Sequence, residues 1–277
     1  METLDVFLRT QIDLLQYAAF FAALVFFGVL ERFWAVRRGT GARRQRWPAN
    51  FGMTMLNIVV LGAIPVSGVL VADYALAQGF GLLNVLQIAA LPAFLIGILL
   101  RSLLSWLIHW AMHKVPFLWR VHRVHHTDRF IDISTTVRFH PLEFLISTPI
   151  IVLSILTLGI SPVALLFSEL FDTVMAIFTH ANVKLPRVVE RMLGWVLVTP
   201  AIHRIHHSSW QPETDSNYGA TLSVWDRLFG TYRRKDAGAL AAIDLGLSEH
   251  RGAEVSSIPW LLLLPFRPLR RLQGERS

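Results

Sequence analysis

Histidine is the residue type in this chain that is best suited to metal binding or catalysis, and the histidines are regularly spaced. The segment "RVHRVHHTD", residues 120–128, places three histidines within five residues, and "AIHRIHHSS", residues 201–209, repeats the His-x-x-His-His pattern. Of the eleven histidines, all but His250 fall between residues 109 and 207. These ten are His109, His113, His122, His125, His126, His140, His180, His203, His206 and His207.

The spacing within each group places the rings on one side of a helix. Positions i, i+3 and i+4 share a helical face, so His122, His125 and His126 are expected to converge. The second copy of the pattern, residues 203–207, has the same property. His109 and His113 are one helical turn apart. Three groups of imidazoles are therefore predicted to point into one space.

Such a cluster is suited to metal ions rather than to protons. Several imidazolium ions would repel one another, and the neighbouring Arg123 and Arg204 disfavour the charged form further. Neutral imidazole binds metal. Eight to ten nitrogens exceed the about four ligands of a zinc site and suit two ions of higher coordination number. Iron, zinc, copper and nickel all accept imidazole as a ligand. The sequence has no HExxH motif, so the common zinc-protease arrangement has no support.

The elements that carry these histidines are those of a membrane protein. The chain is 53% hydrophobic and 16% charged, with a mean hydropathy of +0.48, whereas soluble domains carry roughly 25% charged residues. The absence of cysteine excludes disulfides and thiolate metal ligands. The composition therefore predicts an all-α, integral membrane helical bundle.

Five apolar segments are long enough, or nearly so, to cross about 30 Å of hydrocarbon. They are residues 14–36, 51–72, 85–108, 142–158 and 162–180. The last two form a hairpin that turns at "LGISP", although Pro149 and the short fourth segment leave a re-entrant hairpin open. Residues 109–141 and 181–277 are predicted to form a helical cap that holds a histidine-rich dimetal site. Within the cap, "RMLGWVLVTP" and "IPWLLLLPF" are too short to cross and are expected at the membrane interface or packed on the cap.

Basic residues predict the orientation of these segments. Five arginines lie between residues 37 and 46, five Lys or Arg between 109 and 143, and thirteen between 181 and 277. The loop "ADYALAQGFG" and the "LGISP" turn have none. This alternation predicts a multi-pass protein with its N-terminus outside and the histidine site on the cytoplasmic side. The net charge of +7 then reflects topology, and no nucleic-acid partner is expected.

Three motifs make the chain similar to a known family. "HWAMH" (109–113), "HRVHH" (122–126) and "HRIHH" (203–207) resemble the three histidine boxes of the fatty acid hydroxylase / sterol desaturase superfamily. "RFHPLE" (138–143) and "NYGATLSVWDRLFGTY" (217–232) add to the resemblance, and the latter disfavours the acyl-CoA desaturase branch. The resemblance covers about residues 100–235 and the membrane topology.

The resemblance implies a single membrane-embedded hydroxylase or desaturase domain, residues 1–277, with a non-haem centre of two iron ions. Such enzymes use dioxygen to hydroxylate or desaturate a membrane lipid, here a sterol, a fatty acyl chain or a related lipid. Zinc can substitute for the iron. Electrons come from a separate donor, a ferredoxin or a small haem protein with its reductase. By resemblance, the eight histidines of the three boxes are catalytic iron ligands, and His140 and His180 are further metal ligands.

Carboxylates near the histidines are candidates for orienting the rings. They are Asp128, Glu143, Asp172, Asp215 and Asp226, and for Asp128 and Asp215 a surface or helix-capping position is the favoured expectation. Two other functions remain open from the residues: a zinc-dependent membrane hydrolase, and a protein that binds or transports a transition metal. Transport is disfavoured because nearly all the histidines lie at or beyond the ends of the apolar segments.

Overall fold

The computed structural model describes residues 2–37, 43–64 and 66–269, with side chains from residue 14 onward. Within these ranges the chain is helical and forms no strand. Its α-helices are α1 Glu2–Trp34, α2 Arg43–Gly62, α3 Gly68–Ala77, α4 Leu82–Val85, α5 Ala90–Lys114, α6 Pro116–His126, α7 Pro141–Leu158, α8 Pro162–His180, α9 Arg187–Leu193, α10 Pro200–His206, α11 Gln211–Thr214, α12 Val224–Leu228, α13 Ala237–Ala242 and α14 Ile258–Leu263. Short 3₁₀ turns span Thr135–Val137, Ala253–Ser256 and Leu264–Phe266.

Five helical stretches are long and apolar enough to cross a membrane. They are Leu14–Trp34, Gly68–Val85, Ala90–Lys114, Pro141–Leu158 and Pro162–His180. Large apolar side chains such as Phe21, Val25 and Leu153 are exposed on their outer surfaces, as expected where lipid replaces water as the solvent. The predicted all-helical membrane architecture is confirmed. Residues 115–140 and 181–269, which lie beyond the ends of these stretches, are called the cap below.

The second predicted segment, residues 51–72, is not one helix in the structure. Helix α2 ends at Gly62, and α3 begins at Gly68, where the Ser67 hydroxyl accepts a hydrogen bond from the Leu70 N–H. The membrane-crossing candidate of this region is α3 with α4. Helix α2 instead carries buried Asn50 and Asn57, which hydrogen-bond to Ser134 and to the Phe139 carbonyl of the cap. These polar contacts hold α2 against the cap.

The third predicted segment, residues 85–108, corresponds to α5, which begins at Ala90 and continues to Lys114. His109 and His113 therefore lie within the crossing helix itself, on its last turns. Its first residues follow a turn in which Gln87 has a positive φ of 50°. The site thus begins inside a membrane-spanning element rather than in the cap alone.

Helices α7 and α8 form the predicted hairpin. Helix α7 continues through Pro149 to Leu158, and α8 starts at Pro162 after the Ser161 hydroxyl caps the Ala164 N–H. Gly159 adopts a left-handed conformation, with φ of +70°, at the turn. Gly81 packs directly on this turn, where an added Cβ would lie 2.3 Å from the Gly159 nitrogen. Both glycines are therefore required by the close approach of the two backbones.

The cap is joined to the membrane helices by a buried acid. Glu31, near the end of α1, accepts hydrogen bonds from the N–H groups of Ile133 and Asn182, 2.9 and 2.8 Å away, and from Arg43. The segment "IPWLLLLPF" packs on the cap, where Leu261 and Leu264 are fully buried with Val124 of α6. Helix α9, in contrast, exposes Val188 and Met192.

Candidate metal centre

Nine of the ten predicted histidines come together in two adjacent groups. The ligand atoms within each group lie within 4.8 Å of one another. The first group, called the five-histidine group, comprises His109, His113, His122, His126 and His206; the second, the four-histidine group, comprises His125, His180, His203 and His207. Each group offers enough nitrogens for one metal ion.

Four helices bring these residues together. Helix α5 carries His109 and His113 on successive turns, and α8 ends at His180. Helix α6 starts at Pro116 directly after α5, which places its histidines beneath the end of α5. Helix α10 is one short element, started by the Thr199 hydroxyl, which accepts from the Ile202 N–H.

Each His-x-x-His-His triplet is divided between the two groups. His122 and His126 face the five-histidine group, whereas His125 faces the other. In α10 the division is reversed, since only His206 joins the five-histidine group. The two triplets thus lie between the two groups and contribute to both, which links the positions of the two groups.

Hydrogen bonds fix which nitrogen of several rings is available. In each case Nδ1 lies against an oxygen that can only accept, so Nδ1–H donates and the Nε2 lone pair remains free. The pairs are His109 Nδ1 with the Tyr218 carbonyl (2.6 Å), His122 Nδ1 with Glu143 Oε1 (2.9 Å), His180 Nδ1 with the Ala176 carbonyl (2.7 Å) and His206 Nδ1 with the Ser216 carbonyl (2.8 Å). Neutral rings oriented in this way present Nε2 as a metal ligand.

The free nitrogens face one another at distances that fit a shared cation. His109 Nε2 and His122 Nε2 are 3.1 Å apart, and two lone pairs at that distance repel unless a cation lies between them. In the four-histidine group, neighbouring Nε2 atoms are 3.0–3.1 Å apart. Nitrogens about 2.1 Å from one ion and at right angles are about 3.0 Å apart, so these spacings suit neighbouring positions around an ion.

Burial keeps the cap histidines neutral. Removal from water lowers the pKa of His206 to about 3 and lowers the pKa of His125, His126, His203 and His207 well below the usual value. Among the described residues, Nε2 of His113, His126 and His206 has no hydrogen-bond partner. Buried polar atoms without partners cost about 1–3 kcal/mol each. A bound metal would satisfy them, so the donor set fits the group that the sequence predicts.

His140 does not join either group. Its Nδ1 accepts the Leu142 N–H at 3.1 Å, so the proton is on Nε2, which lies 3.2 Å from the Leu262 carbonyl. Both nitrogens are thereby used, and the tautomer is the opposite of that of the clustered rings. The predicted ligand role of His140 is replaced by capping of α7, with a contact to α14.

Two of the candidate carboxylates contact ring nitrogens. Glu143, in the first turn of α7, is the partner of His122 described above. Asp215 Oδ1 lies 3.5 Å from His113 Nδ1, and its other oxygen accepts from Lys114 Nζ at 2.9 Å. Asp215 is therefore placed between the site and the surface rather than at the surface alone.

Asp226 acts on the site through the backbone. Its carboxylate accepts the N–H groups of Tyr218 and Gly219, both at 2.8 Å, and the Trp106 indole N–H at 3.0 Å. These bonds hold the turn that presents the Tyr218 carbonyl to His109. The Asp226 carboxylate thus orients the His109 ring indirectly, through the Tyr218 backbone.

Asp172 does not contact a histidine. It accepts from the Thr221 hydroxyl at 2.7 Å, and Arg101 lies 4.0 Å away. Its polar contacts therefore join α8 to the chain after the last histidine motif and to α5.

The surface position expected for Asp128 is wrong. This residue is 1% exposed and forms a two-pronged ion pair with Arg46, at 2.6 and 2.9 Å, while Asn50 and Thr135 donate to the same carboxylate. The Arg46 guanidinium outweighs the effect of burial and lowers the pKa of Asp128 to about 2. The pair locks α2 against the segment that directly follows His126.

Several supporting residues are not identified by the sequence patterns. In the sequence Arg46 is one of the basic residues that predict membrane orientation, yet in the structure its side chain is buried. Arg138 is also fully buried and donates to Asn50 Oδ1 at 2.6 Å and to Thr127 Oγ1 at 2.7 Å. The usable signal is the occurrence of Asn57 and Glu31 within apolar runs of α2 and α1, because polar residues there need partners.

Comparison with known proteins matches the region that contains all these histidines. Residues 94–231 match the family model described as fatty acid hydroxylase. The ornithine lipid hydroxylase OlsE of Rhizobium tropici is 28% identical over 137 residues, which are 50% of this chain and 40% of that protein. The alkylglycerol monooxygenase of Caenorhabditis elegans is 30% identical over 134 residues, 48% of this chain and 25% of that protein. The human alkylglycerol monooxygenase is 30% identical over 130 residues, 46% of this chain and 28% of that protein.

The similarity is confined to part of each protein. The chain spans 40% or less of the length of these three relatives. No solved structure matches the chain.

Proposed function

The chain belongs to the fatty acid hydroxylase family, and from this we propose that it is a membrane-bound, oxygen-dependent lipid hydroxylase with a centre of two iron ions. In this proposal the whole sequence, residues 1–277, forms one membrane-embedded domain. The observation that carries the proposal is the meeting of nine histidines in two groups of five and four. The proposed ligands are those nine, without His140.

The residues of the chain provide a dry and preoriented site. The carbonyl and carboxylate partners of Nδ1 hold four of the rings, those of His109, His122, His180 and His206, in one tautomer before metal binds, which reduces the cost of ordering these ligands. Phe139 stacks on His125, with ring centroids 4.4 Å apart, and Trp119 lies 5.4 Å from His126. These rings exclude water from the nitrogens. When bound there, iron supplies the redox chemistry that dioxygen activation and attack on an unactivated C–H bond require.

A lipid with a long apolar chain is the proposed substrate. The end of α5 carries His109 and His113 inside a membrane-crossing helix, so an apolar chain in the bilayer lies near the centre without crossing water. The names of the relatives support hydroxylation of a chain-bearing lipid: one is an ornithine lipid hydroxylase and others are alkylglycerol monooxygenases. Hydroxylation is therefore proposed in preference to desaturation.

Electrons are proposed to come from a separate ferredoxin or small haem protein with its reductase. The chain has no cysteine to hold an iron–sulfur cluster. The basic residues between the crossing helices support, by the positive-inside rule, the proposal that the histidine side faces the cytoplasm. An acidic donor on that side would be attracted to the basic cap.

The test is metal content together with oxygen-dependent lipid change. Protein from iron-57-grown cells should hold two coupled irons per chain in mass spectrometry and Mössbauer spectra, and membranes supplied with ¹⁸O₂ should gain a labelled hydroxylated lipid. His206→Ala should abolish the product while the protein still inserts into the membrane. His140→Asn is the matched control, since asparagine also caps a helix, and it should retain iron and product. Zinc that persisted after iron-replete growth, without any labelled lipid, would refute the proposal.

A further inference from the structure

A cavity of about 560 Å³ lies on the face of α10 opposite the metal centre. Ile202, Arg204 and Ile205 line it, whereas His203, His206 and His207 of the same helix point to the two histidine groups. Helix α9 and the segment from Tyr232 to Ala241 form its other walls. Its volume is in the range of about 300–1,000 Å³ that is typical of ligand sites. One helix separates it from the metal centre, so it is a different site.

The cavity is strongly basic. Seven Lys or Arg residues line it against two acids, Glu190 and Asp236. Glu190 also accepts from the Thr199 hydroxyl and Asp236 caps the first turn of α13, so the lining keeps an excess of five basic residues over acids. The seven basic residues are Lys184, Arg187, Arg191, Arg204, Arg227, Arg234 and Lys235. An anion is the ligand that this charge would favour.

Two of the guanidinium groups are held in place without a carboxylate. Arg204 is 3% exposed and donates to Asn182 Oδ1 at 2.8 Å, and in the described part of the chain no acid lies within 4.0 Å of it. Arg227 donates to the Gly194 carbonyl at 2.8 Å, and its guanidinium lies 3.7 Å from the centre of the Tyr232 ring. A buried arginine without an anionic partner carries an uncompensated charge. An anion in the cavity would provide that partner.

The cavity lies next to the ends of two membrane-crossing stretches, at the depth of lipid head groups. Val36 and Val183 line it and directly follow the crossing stretches that end at Trp34 and His180. Helix α9, which forms one wall, exposes the apolar side chains Val188 (69%) and Met192 (69%) on its outer side. A short helix with exposed apolar residues beside a row of arginines is typical of elements that lie in the membrane interface.

We propose that this cavity binds the phosphate-bearing head group of an anionic membrane lipid. The guanidinium groups of Arg187, Arg191, Arg204 and Arg234 neutralise the phosphate, and the aliphatic side chains of Ile202, Ile205 and Leu240 cover the adjoining apolar part of the lipid. This site goes beyond the proposed hydroxylation, since it uses none of the histidines. A second, non-reacting lipid would anchor the cap at the bilayer surface.

A single label can report on binding because the chain has no cysteine. Ala241 lines the cavity and is exposed, so Ala241→Cys carries an environment-sensitive fluorophore in the purified, iron-loaded full chain. Phosphatidylglycerol, phosphatidylcholine with the same acyl chains, and inorganic phosphate are titrated separately in neutral detergent micelles. The expected result is a saturable change with phosphatidylglycerol alone at micromolar to low millimolar concentrations.

Charge variants test whether the cavity is the site. Each basic residue near an anionic surface contributes roughly fivefold in affinity, so Arg187→Gln/Arg191→Gln/Arg234→Gln should weaken binding by about a hundredfold. The control Arg32→Gln/Arg44→Gln/Arg233→Gln removes the same charge from exposed positions outside the cavity and should change affinity by less than about threefold. Equal iron content shows that both variants are folded.

Three results would overturn the proposal. An equal response to phosphatidylcholine would mean that the cavity does not recognise an anion. Saturation by inorganic phosphate with the affinity of phosphatidylglycerol would mean that a soluble anion, not a lipid, is the ligand. Equal weakening in the two triple variants would assign the effect to net charge. Because iron content and hydroxylation are measured separately, failure here leaves the proposed function standing, and the reverse also holds.

Discussion

Removal of the Glu143 carboxylate should weaken one metal site and leave the other intact. Glu143 Oε1 is 2.9 Å from His122 Nδ1, and the acid side chain is 13% exposed. In Glu143→Ala the ring loses the acceptor that keeps its proton on Nδ1, so the proton can move to Nε2 and block the ligand atom. His122 belongs only to the five-histidine group. The effect is therefore expected at a single ion.

The size of the effect follows from the contact. Loss of a partner that orients a ligating histidine typically lowers metal affinity about 10- to 100-fold, which is about 1.4–2.7 kcal/mol. In Glu143→Gln the amide oxygen still accepts from Nδ1–H, but the bond is neutral. Because charge-assisted hydrogen bonds are roughly twice as strong as neutral ones, about half of that free energy should be lost, or about 3- to 10-fold in affinity.

The assay is anaerobic competition of the purified protein with a ferrous chelator, with bound iron counted by mass spectrometry. Wild type should release its two irons over one range of chelator concentration. Glu143→Ala should release the first at about 10- to 100-fold lower chelator and retain the second. Asp236→Asn, which changes an exposed helix-capping carboxylate, is the control and should match wild type. Wild-type retention by Glu143→Ala, or parallel loss of both irons, would refute the assignment of His122.

Four further outcomes can be measured directly. His140→Asn should keep both irons in the same competition assay, because both nitrogens of His140 are used in capping contacts; loss of one iron would restore it as a ligand. Arg46→Met should lower the stability of the folded protein by about 3–5 kcal/mol in denaturant titrations, because it leaves Asp128 buried and unpaired. In wild type the Arg46–Asp128 pair should contribute its full stabilisation at pH values above the unfolded pKa of Asp128, about 3.9, and lose this stabilisation as the pH falls towards 2. A loss of stability already at pH 6 would contradict the pairing. Gly81→Ala should lower the free energy of unfolding by about 1–3 kcal/mol, because the added Cβ would meet the backbone of the α7–α8 turn. Gly79 also has a positive φ but open space around it, so Gly79→Ala should lower the same free energy by about 1–2 kcal/mol or less.

The class of the protein and the choice of its clustered histidines follow from local features of the sequence. Composition and the length of apolar segments depend on residues that are neighbours in the chain, so four of the five crossing stretches could be expected close to their observed positions. The His-x-x-His-His spacing also acts locally, because a helix places residues i, i+3 and i+4 on one face. The nine clustered histidines, including the lone His180, are identifiable in this way or by family resemblance.

The second apolar segment shows where local patterns mislead. Residues 51–72 are apolar enough to suggest one crossing helix, but the structure divides them between α2 and α3. Asn57 is a polar exception in that run and Asn50 directly precedes it, and their partners Ser134 and Phe139 lie more than 80 residues away. The division therefore depends on hydrogen bonds to residues that the local pattern does not include.

The arrangement around the metals depends on contacts between distant parts of the chain. Neighbouring histidines of a triplet point about 100° apart on a helix, and the group that each one joins is decided by the rings that other helices bring to it. His109 obtains its tautomer from the Tyr218 carbonyl, 109 residues away, and Asp128 is buried because Arg46 approaches it from α2. The histidines that cluster can be predicted from helical periodicity. Their division into two groups and the ring nitrogen that carries the proton follow only from the packed helices, because both depend on which atoms meet across the fold.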